Sequence, residues 1–160
     1  MEVQSKLPVP TLFDWSGGME KFEAWTDLFY QRVRQDDILE PVFRGMSADH
    51  AKHVAHFVAE VFGGPTQYSD REGDHYNMIQ HHLEKHLTEA QRQRWVRLIQ
   101  DAADDVGLPN DPEFRSALVG YLEWGSRLAV INSHLDTVNE PPNAPMPKWG
   151  WGETGGPYIP

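Results

Sequence analysis

Cysteine is absent from the 160 residues. That removes disulfides, thiol catalysis, zinc–thiolate sites and iron–sulfur clusters together. Basic residues are scarce: 14 Lys and Arg stand against 24 Asp and Glu, a net charge of −10. A chain this acidic is not expected to bind nucleic acid, whose affinity for proteins comes largely from clustered Lys and Arg at phosphates. No apolar run approaches the roughly 20 residues of a membrane span, so no membrane partner is expected. Met1 to Lys6 lacks the apolar core of a secretory signal, which makes the cytoplasm the expected compartment. Phosphate-loop and dinucleotide glycine motifs, a His-Glu-x-x-His motif and a credible Ser-His-Asp set are all missing. No segment reads as a convincing strand.

What remains is helical. The spacing of Phe22, Trp25, Leu28, Phe29 and Val33 predicts an amphipathic helix over about Met19–Gln35. A short turn at Leu12 to Trp15 precedes it, closed by Gly17-Gly18, and Leu39 to Phe43 reads as another. Ser47 is a good N-cap for a helix to about Phe62, which Gly63-Gly64-Pro65 stops. Residues 66–76 read as loop, and a short helix from about Tyr76 is expected to carry the pair His81 and His82. Thr88 and Gln91 form a capping box for a long helix that ends at Gly107. Asp111-Pro112-Glu113 opens the last helix, with Phe114, Leu118, Tyr121, Leu122, Gly125, Leu128 and Ala129 as its buried stripe. The fold class is all-α. Residues 1–10 are expected to be an extended leader, 11–135 the helical domain, and 136–160 an extension dense in Pro and Gly. That extension also holds Trp149, Trp151 and Tyr158. Its composition permits disorder, while three large aromatics favour docking on the domain or on a second subunit.

Eight histidines suggest metal chemistry, since neutral imidazole is the commonest protein ligand for a transition metal and an axial ligand of haem iron. A bundle di-metal centre needs paired Glu-x-x-His motifs. Only Glu72 and His75 have that spacing, in a glycine-bearing loop. One axial histidine in an apolar pocket fits better. Phe29, Phe43, Val54, Phe57, Met78, Leu118 and Leu122 supply apolar faces, and Tyr30 and Trp95 are placed to point inward. A non-haem metal enzyme in a helix bundle, using clustered histidines, is the second reading.

The order and spacing of several motifs resemble the truncated haemoglobins, most of all their second group. They are Phe29-Tyr30 followed by Asp36, Leu39, Pro41 and Phe43; Gly63-Gly64-Pro65 with Tyr68-Ser69 and Gly73; the histidine pair; Trp95; and Tyr121-Leu122-Glu123 through Asn132-Ser133. The resemblance spans Leu12 to Ser133 and implies a two-over-two helical sandwich around haem b. It implies His82 as the iron ligand, because Trp95 stands thirteen residues after it and Leu87 five after. Three features depart from the family pattern: Lys85 where Phe is common, an apparent insertion at Gly73-Asp74-His75, and the long tail.

The resemblance further implies reversible binding of dioxygen and other diatomic gases, with Tyr30 and Trp95 as hydrogen-bond donors. His50 comes near the distal position, Phe43 and Val54 wall the pocket, and Met78 and Leu87 line it. His53, Lys52, Tyr68 and Arg71 are placed to reach the haem propionates. Oxygen transport, oxidation of nitric oxide and peroxide chemistry are all compatible with it. Catalysis would need a reductase as partner, and the chain is expected to be a monomer or homodimer.

Overall fold

The computed structural model describes residues 8–160; the rest of the expected leader, residues 1–7, lies outside the described residues. Helix α1 (Leu12–Ser16) is closed by Gly17 in the left-handed region at φ 102°. It leads directly into α2 (Met19–Val33). A four-residue turn, α3 (Glu40–Phe43), precedes α4 (His50–Val61). Two short helices, α5 (Gln67–Arg71) and α6 (His75–Gln80), lead to the long α7 (Glu89–Asp105) and α8 (Pro112–Ser133). No strand occurs among the described residues. No helix among them is long and apolar enough to cross a membrane.

The four long helices form the frame. α2 packs on α4, α7 packs on α8, and α2 meets α7. The core between them is aromatic and aliphatic: Phe22, Trp25, Phe29, Phe62, Phe114, Leu118 and Leu122 are each no more than 1% exposed. The apolar period of α2 is buried as its spacing predicts, except that Leu28 is only half-buried. At Gly64 an added Cβ would stand 2.8 Å from the Ala59 carbonyl and 2.7 Å from the Phe13 ring. This glycine therefore lets the α4–α5 corner press against α1.

The helix caps follow the sequence. Thr88 and Gln91 form the expected reciprocal capping box. Asp111 accepts from the Phe114 N–H, with Pro112 in the first turn. Elsewhere the boundaries shift. α2 ends two residues earlier than its apolar period suggests, and α4 begins at His50, with Asp49 rather than Ser47 in the cap position. The expected loop at 66–76 contains α5 and the start of α6. The Thr66 hydroxyl donates to Asp70, Tyr68 buries its ring on Phe57, and Asp74 caps α6 by accepting from the Asn77 N–H. Single turns like these carry too few residues to show a period. In α8, Ser126 is buried where Gly125, Leu128 and Ala129 were expected; these three are only half-buried. Ser126 can be inside because the buried Arg92 guanidinium donates to its hydroxyl at 3.2 Å.

The C-terminal segment is docked. The Trp149 indole donates to the Ala117 carbonyl at 2.9 Å and its backbone N–H to Val61. The Trp151 indole donates to the Pro10 carbonyl at 2.8 Å, with its ring edge-on to Trp15 and Phe114. Tyr158 does not join them and is 52% exposed.

Candidate functional site

The histidine pair does not ride on a helix. α6 closes at Gln80, His81 is its C-cap, and His82 follows in the turn. Met78 and Ile79 still anchor this turn, because their carbonyls accept from the His82 ring and the His82 backbone N–H. The two rings then part: His81 is exposed and His82 is half-buried. His82 Nδ1 donates to the Met78 carbonyl at 2.8 Å. That bond fixes the tautomer and leaves Nε2 as the lone-pair nitrogen, the arrangement found in metal-binding histidines. Burial lowers the pKa of His82, and Lys85 and His81 add to this against the opposing effect of the Met78 carbonyl. The ring is therefore held neutral, as a metal ligand must be.

The segment after His82 is unusual. Glu84 and His86 are the non-glycine residues with left-handed backbone among those described, at φ 60° and 49°. Such conformations cost roughly 1–2 kcal/mol each. They are held by the end of α8 and the residues just after it: Glu84 N–H donates to the Leu135 carbonyl, His86 N–H to the Ser133 carbonyl, and Leu87 N–H to Ser133 Oγ. His82 and His86 therefore do not share a helical face.

A second group of side chains comes from α2, α4 and α7, linked by one polar contact and a chain of aromatic ones. Tyr30 is 3% exposed, and its hydroxyl lies 3.1 Å from His50 Nε2. The Tyr30 ring stands edge-on to Phe29 and Phe43, and Phe29 in turn stands edge-on to Trp95 at 5.7 Å. Burial raises the Tyr30 pKa well above its usual value, so the phenol keeps its proton. Burial also depresses His50, to about 4, with further lowering by His81, His53, His82 and Lys85. His50 is thus neutral near pH 7 and carries one N–H. The Trp95 indole N–H has no acceptor among the described residues, and the side chain is only half-buried. Phe43, Val54 and Met78 are half-buried too and pack on the core, and Leu87 is half-buried.

The rim residues behave differently. Tyr68 is buried against Phe57, and Gly73 admits its hydroxyl closely, since a Cβ there would stand 2.9 Å away. Burial pushes the Tyr68 hydroxyl up to about 12. His53 is exposed and lies 3.3 Å from Glu72. Lys52 and Arg71 are exposed. No group of three or more His, Asp or Glu gathers into a metal centre among the described residues.

Two polar clusters were not foreseen from the sequence. His56 is buried between carboxylates, with Nδ1 2.7 Å from Glu72 and Nε2 2.8 Å from Glu23. It ties α2, α4 and the end of α5 together. Its only sequence signal is a histidine embedded in the apolar run Val54-Ala55 and Phe57-Val58. Arg94, next to Trp95, bonds Asp36 at 2.6 Å. Asp36 also accepts from the Ile38 and Leu39 N–H groups and so braces the turn before α3.

The chain as a whole is similar to known proteins. The profile of the family "Bacterial-like globin" matches residues 11–123. Group 2 truncated hemoglobin YjbI of Bacillus subtilis is 32% identical over 119 residues, covering 74% of this chain and 88% of that protein. The structure of truncated oxygen-avid haemoglobin from Bacillus subtilis superposes with a TM-score of 0.66 at 30% identity, covering 76% of this chain and 99% of that one. The Group II truncated hemoglobin of Bacillus anthracis gives a TM-score of 0.68 at 26% identity, covering 84% of this chain and 97% of that one. The two stacked helix pairs are accordingly the two-over-two sandwich of these neighbours. With the matched profile spanning most of its length, this chain belongs to the bacterial-like globin family, and membership implies that it binds haem and diatomic gases.

Proposed function

We propose that this globin binds dioxygen reversibly on haem b, with His82 as the iron ligand and Tyr30 and Trp95 as donors to the gas. Haem, when bound, would supply an iron that takes up a diatomic gas, with His82 as the residue that would hold it. The residues fit such a group: a half-buried neutral imidazole whose Nδ1–H is already engaged by Met78 leaves Nε2 available. The absence of cysteine excludes thioether attachment, which favours the b type. Phe43, Val54, Met78 and Leu87 would contact its apolar faces, and His53 and Tyr68 its edge.

One observation carries the reading of the distal side. The Trp95 indole N–H has no acceptor among the described residues, and its half-buried ring packs on Phe29, which also packs on the buried Tyr30 phenol, whose proton is not lost at any physiological pH. The Trp95 N–H, and the Tyr30 O–H whenever His50 donates to its oxygen, are free to donate to something that enters. Neutral His50 sets the direction of the phenol. With its proton on Nε2, His50 donates to the Tyr30 oxygen and frees the phenol O–H for the gas. Dioxygen accepts such bonds because it acquires partial negative charge when bound. The Bacillus subtilis neighbour is described as oxygen-avid, in keeping with strong donors. Turnover of nitric oxide or peroxide would need an electron supply from a separate reductase.

The test is the rate of dioxygen release from the haem-loaded protein. A hydrogen bond to a charged group is worth about 1.5–3 kcal/mol. Tyr30→Phe should therefore speed release by roughly ten- to a hundred-fold, and Trp95→Phe by a similar or smaller factor. Release rates unchanged in both variants would remove the two residues from the site.

A further inference from the structure

We propose that His86 and His134 form a second metal site, for a divalent transition-metal ion of the zinc type, beside the segment that follows His82. The two Nδ1 atoms lie 3.4 Å apart, with ring centroids 5.5 Å apart. A tetrahedral zinc centre with Zn–N of about 2.0–2.1 Å places its ligand nitrogens about 3.3–3.4 Å from each other. The rings are already spaced as the edge of such a tetrahedron.

Their chemistry agrees with the spacing. His134 Nε2 donates to the Leu87 carbonyl at 3.1 Å. That puts its proton on Nε2 and leaves the Nδ1 lone pair aimed at His86, as backbone carbonyls do behind many metal-binding histidines. His86 Nε2 has no partner among the described residues and its ring is exposed, so its proton can sit there and free Nδ1 as well. Without an ion, one ring must turn its proton inward as an N–H···N bond. With an ion, both lone pairs converge on it.

The backbone holds the two rings in place. His86 has its left-handed φ of 49°, pinned by its N–H on the Ser133 carbonyl, and Leu87 N–H is held by Ser133 Oγ. Among the described residues no third His, Asp or Glu completes a protein ligand set, so water fills the other positions and the ion exchanges freely. Imidazole pairs of this kind suit Zn²⁺ and Cu²⁺ over Mg²⁺ or Ca²⁺. An ion here would staple the His82–Leu87 segment to the end of α8, which gives the site a route to the region of the pocket without contact with it.

The experiment is calorimetric titration of the haem-loaded protein with Zn²⁺ alone at neutral pH. Wild type should take up one ion per chain, and each of His86→Asn and His134→Gln should weaken uptake by at least the roughly tenfold that even an outer-shell partner is worth. Asn tolerates left-handed backbone and a Gln amide can still donate to Leu87, so both variants keep the loop. Zn²⁺ should raise the Tm of wild type and not of the variants, and a variant at an exposed histidine outside both sites, His81→Asn, should bind as wild type does. As a readout that needs no variant, Cu²⁺ bound to wild type should show two imidazole nitrogens in its electron-spin resonance. Absence of Zn²⁺ uptake by wild type, undiminished affinity in either variant, or Cu²⁺ without a nitrogen pair would each overturn the proposal.

Discussion

At the C-terminal tail each docked indole has found an acceptor. Trp149 donates to Ala117 and Trp151 to Pro10, on carbonyls 32 and 141 residues away in sequence. Trp25 in the core does the same with Ile99, and Trp15 at the surface with Asp111. The Trp95 indole, half-buried beside Phe29, has no acceptor among the described residues, and Trp124 needs none because it is 38% exposed to water. The same side chain thus plays two parts. Where its N–H is matched by a carbonyl, it fastens two pieces of chain. Where the N–H has no carbonyl, as on the half-buried Trp95, it stays free to donate to water or to a ligand. Tyr30 is similar: its only partner among the described residues is His50, whose single proton can point either way.

The comparison breaks most visibly at His82. If the pocket and not the tail carries the chemistry, His82→Ala should abolish stable haem retention and the Soret band of the purified protein. His81→Ala should leave both intact, because that ring is exposed at the C-cap of α6. Retained pigment in the His82 variant, or its loss in the His81 variant, would exchange their roles.

The tail should answer in the opposite sense. A fully buried Trp truncated to Ala costs roughly 3–5 kcal/mol. Trp149 and Trp151 are half-buried, so each should cost about 2 kcal/mol, or about 4–8 °C in Tm for a chain of this size. Dioxygen release should stay within about twofold of wild type, since neither ring contacts the Tyr30 cluster. Removing residues 139–160 should lower Tm at least as far. A tail variant that melts normally but releases gas faster would place the tail in the site.

These two regions were unequally legible in the sequence. Apolar period and cap chemistry act within a few residues, so the α2 stripe, the Thr88–Gln91 box and the Asp111–Pro112 start were readable. Tyr30 and Trp95 were visible as polar-tipped aromatics in the inward phase of their helices. The histidine turn was misread as helix, because periodicity does not show where a six-residue helix closes. Docking of Trp149 and Trp151 was expectable from their size, but not their acceptors, and Tyr158 carries the same signal yet stays outside. Glu23–His56–Glu72 and Asp36–Arg94 join residues up to 58 apart. A helical period tells which side of a helix faces inward, not which charge arrives there from another helix.

The smallest expected effect concerns that last pair, and it asks whether the pocket depends on a polar tie as the tail depends on its indoles. Burial by itself raises the Asp36 carboxyl, but its bond to Arg94 and the Leu39 and Ile38 N–H groups together more than offset this and leave it below its ordinary 3.8. A carboxylate with a depressed folded pKa adds stability that is present above its unfolded value and is lost as the pH falls through the folded one. Asp36→Asn keeps an oxygen for the two N–H groups and removes only the ion pair with the partly exposed Arg94, worth about 1 kcal/mol or less. The variant should therefore melt lower near pH 7 by at most about 2–4 °C, and the gap to wild type should close as the pH drops below 3.8. Arg94 adjoins Trp95, so loosening it should also speed dioxygen release, by less than Trp95→Phe does. A Tm gap that persists in acid would show that Asp36 acts by shape and not by charge. An unchanged release rate would show that the indole is held by its packing on Phe29, without help from the Asp36–Arg94 pair.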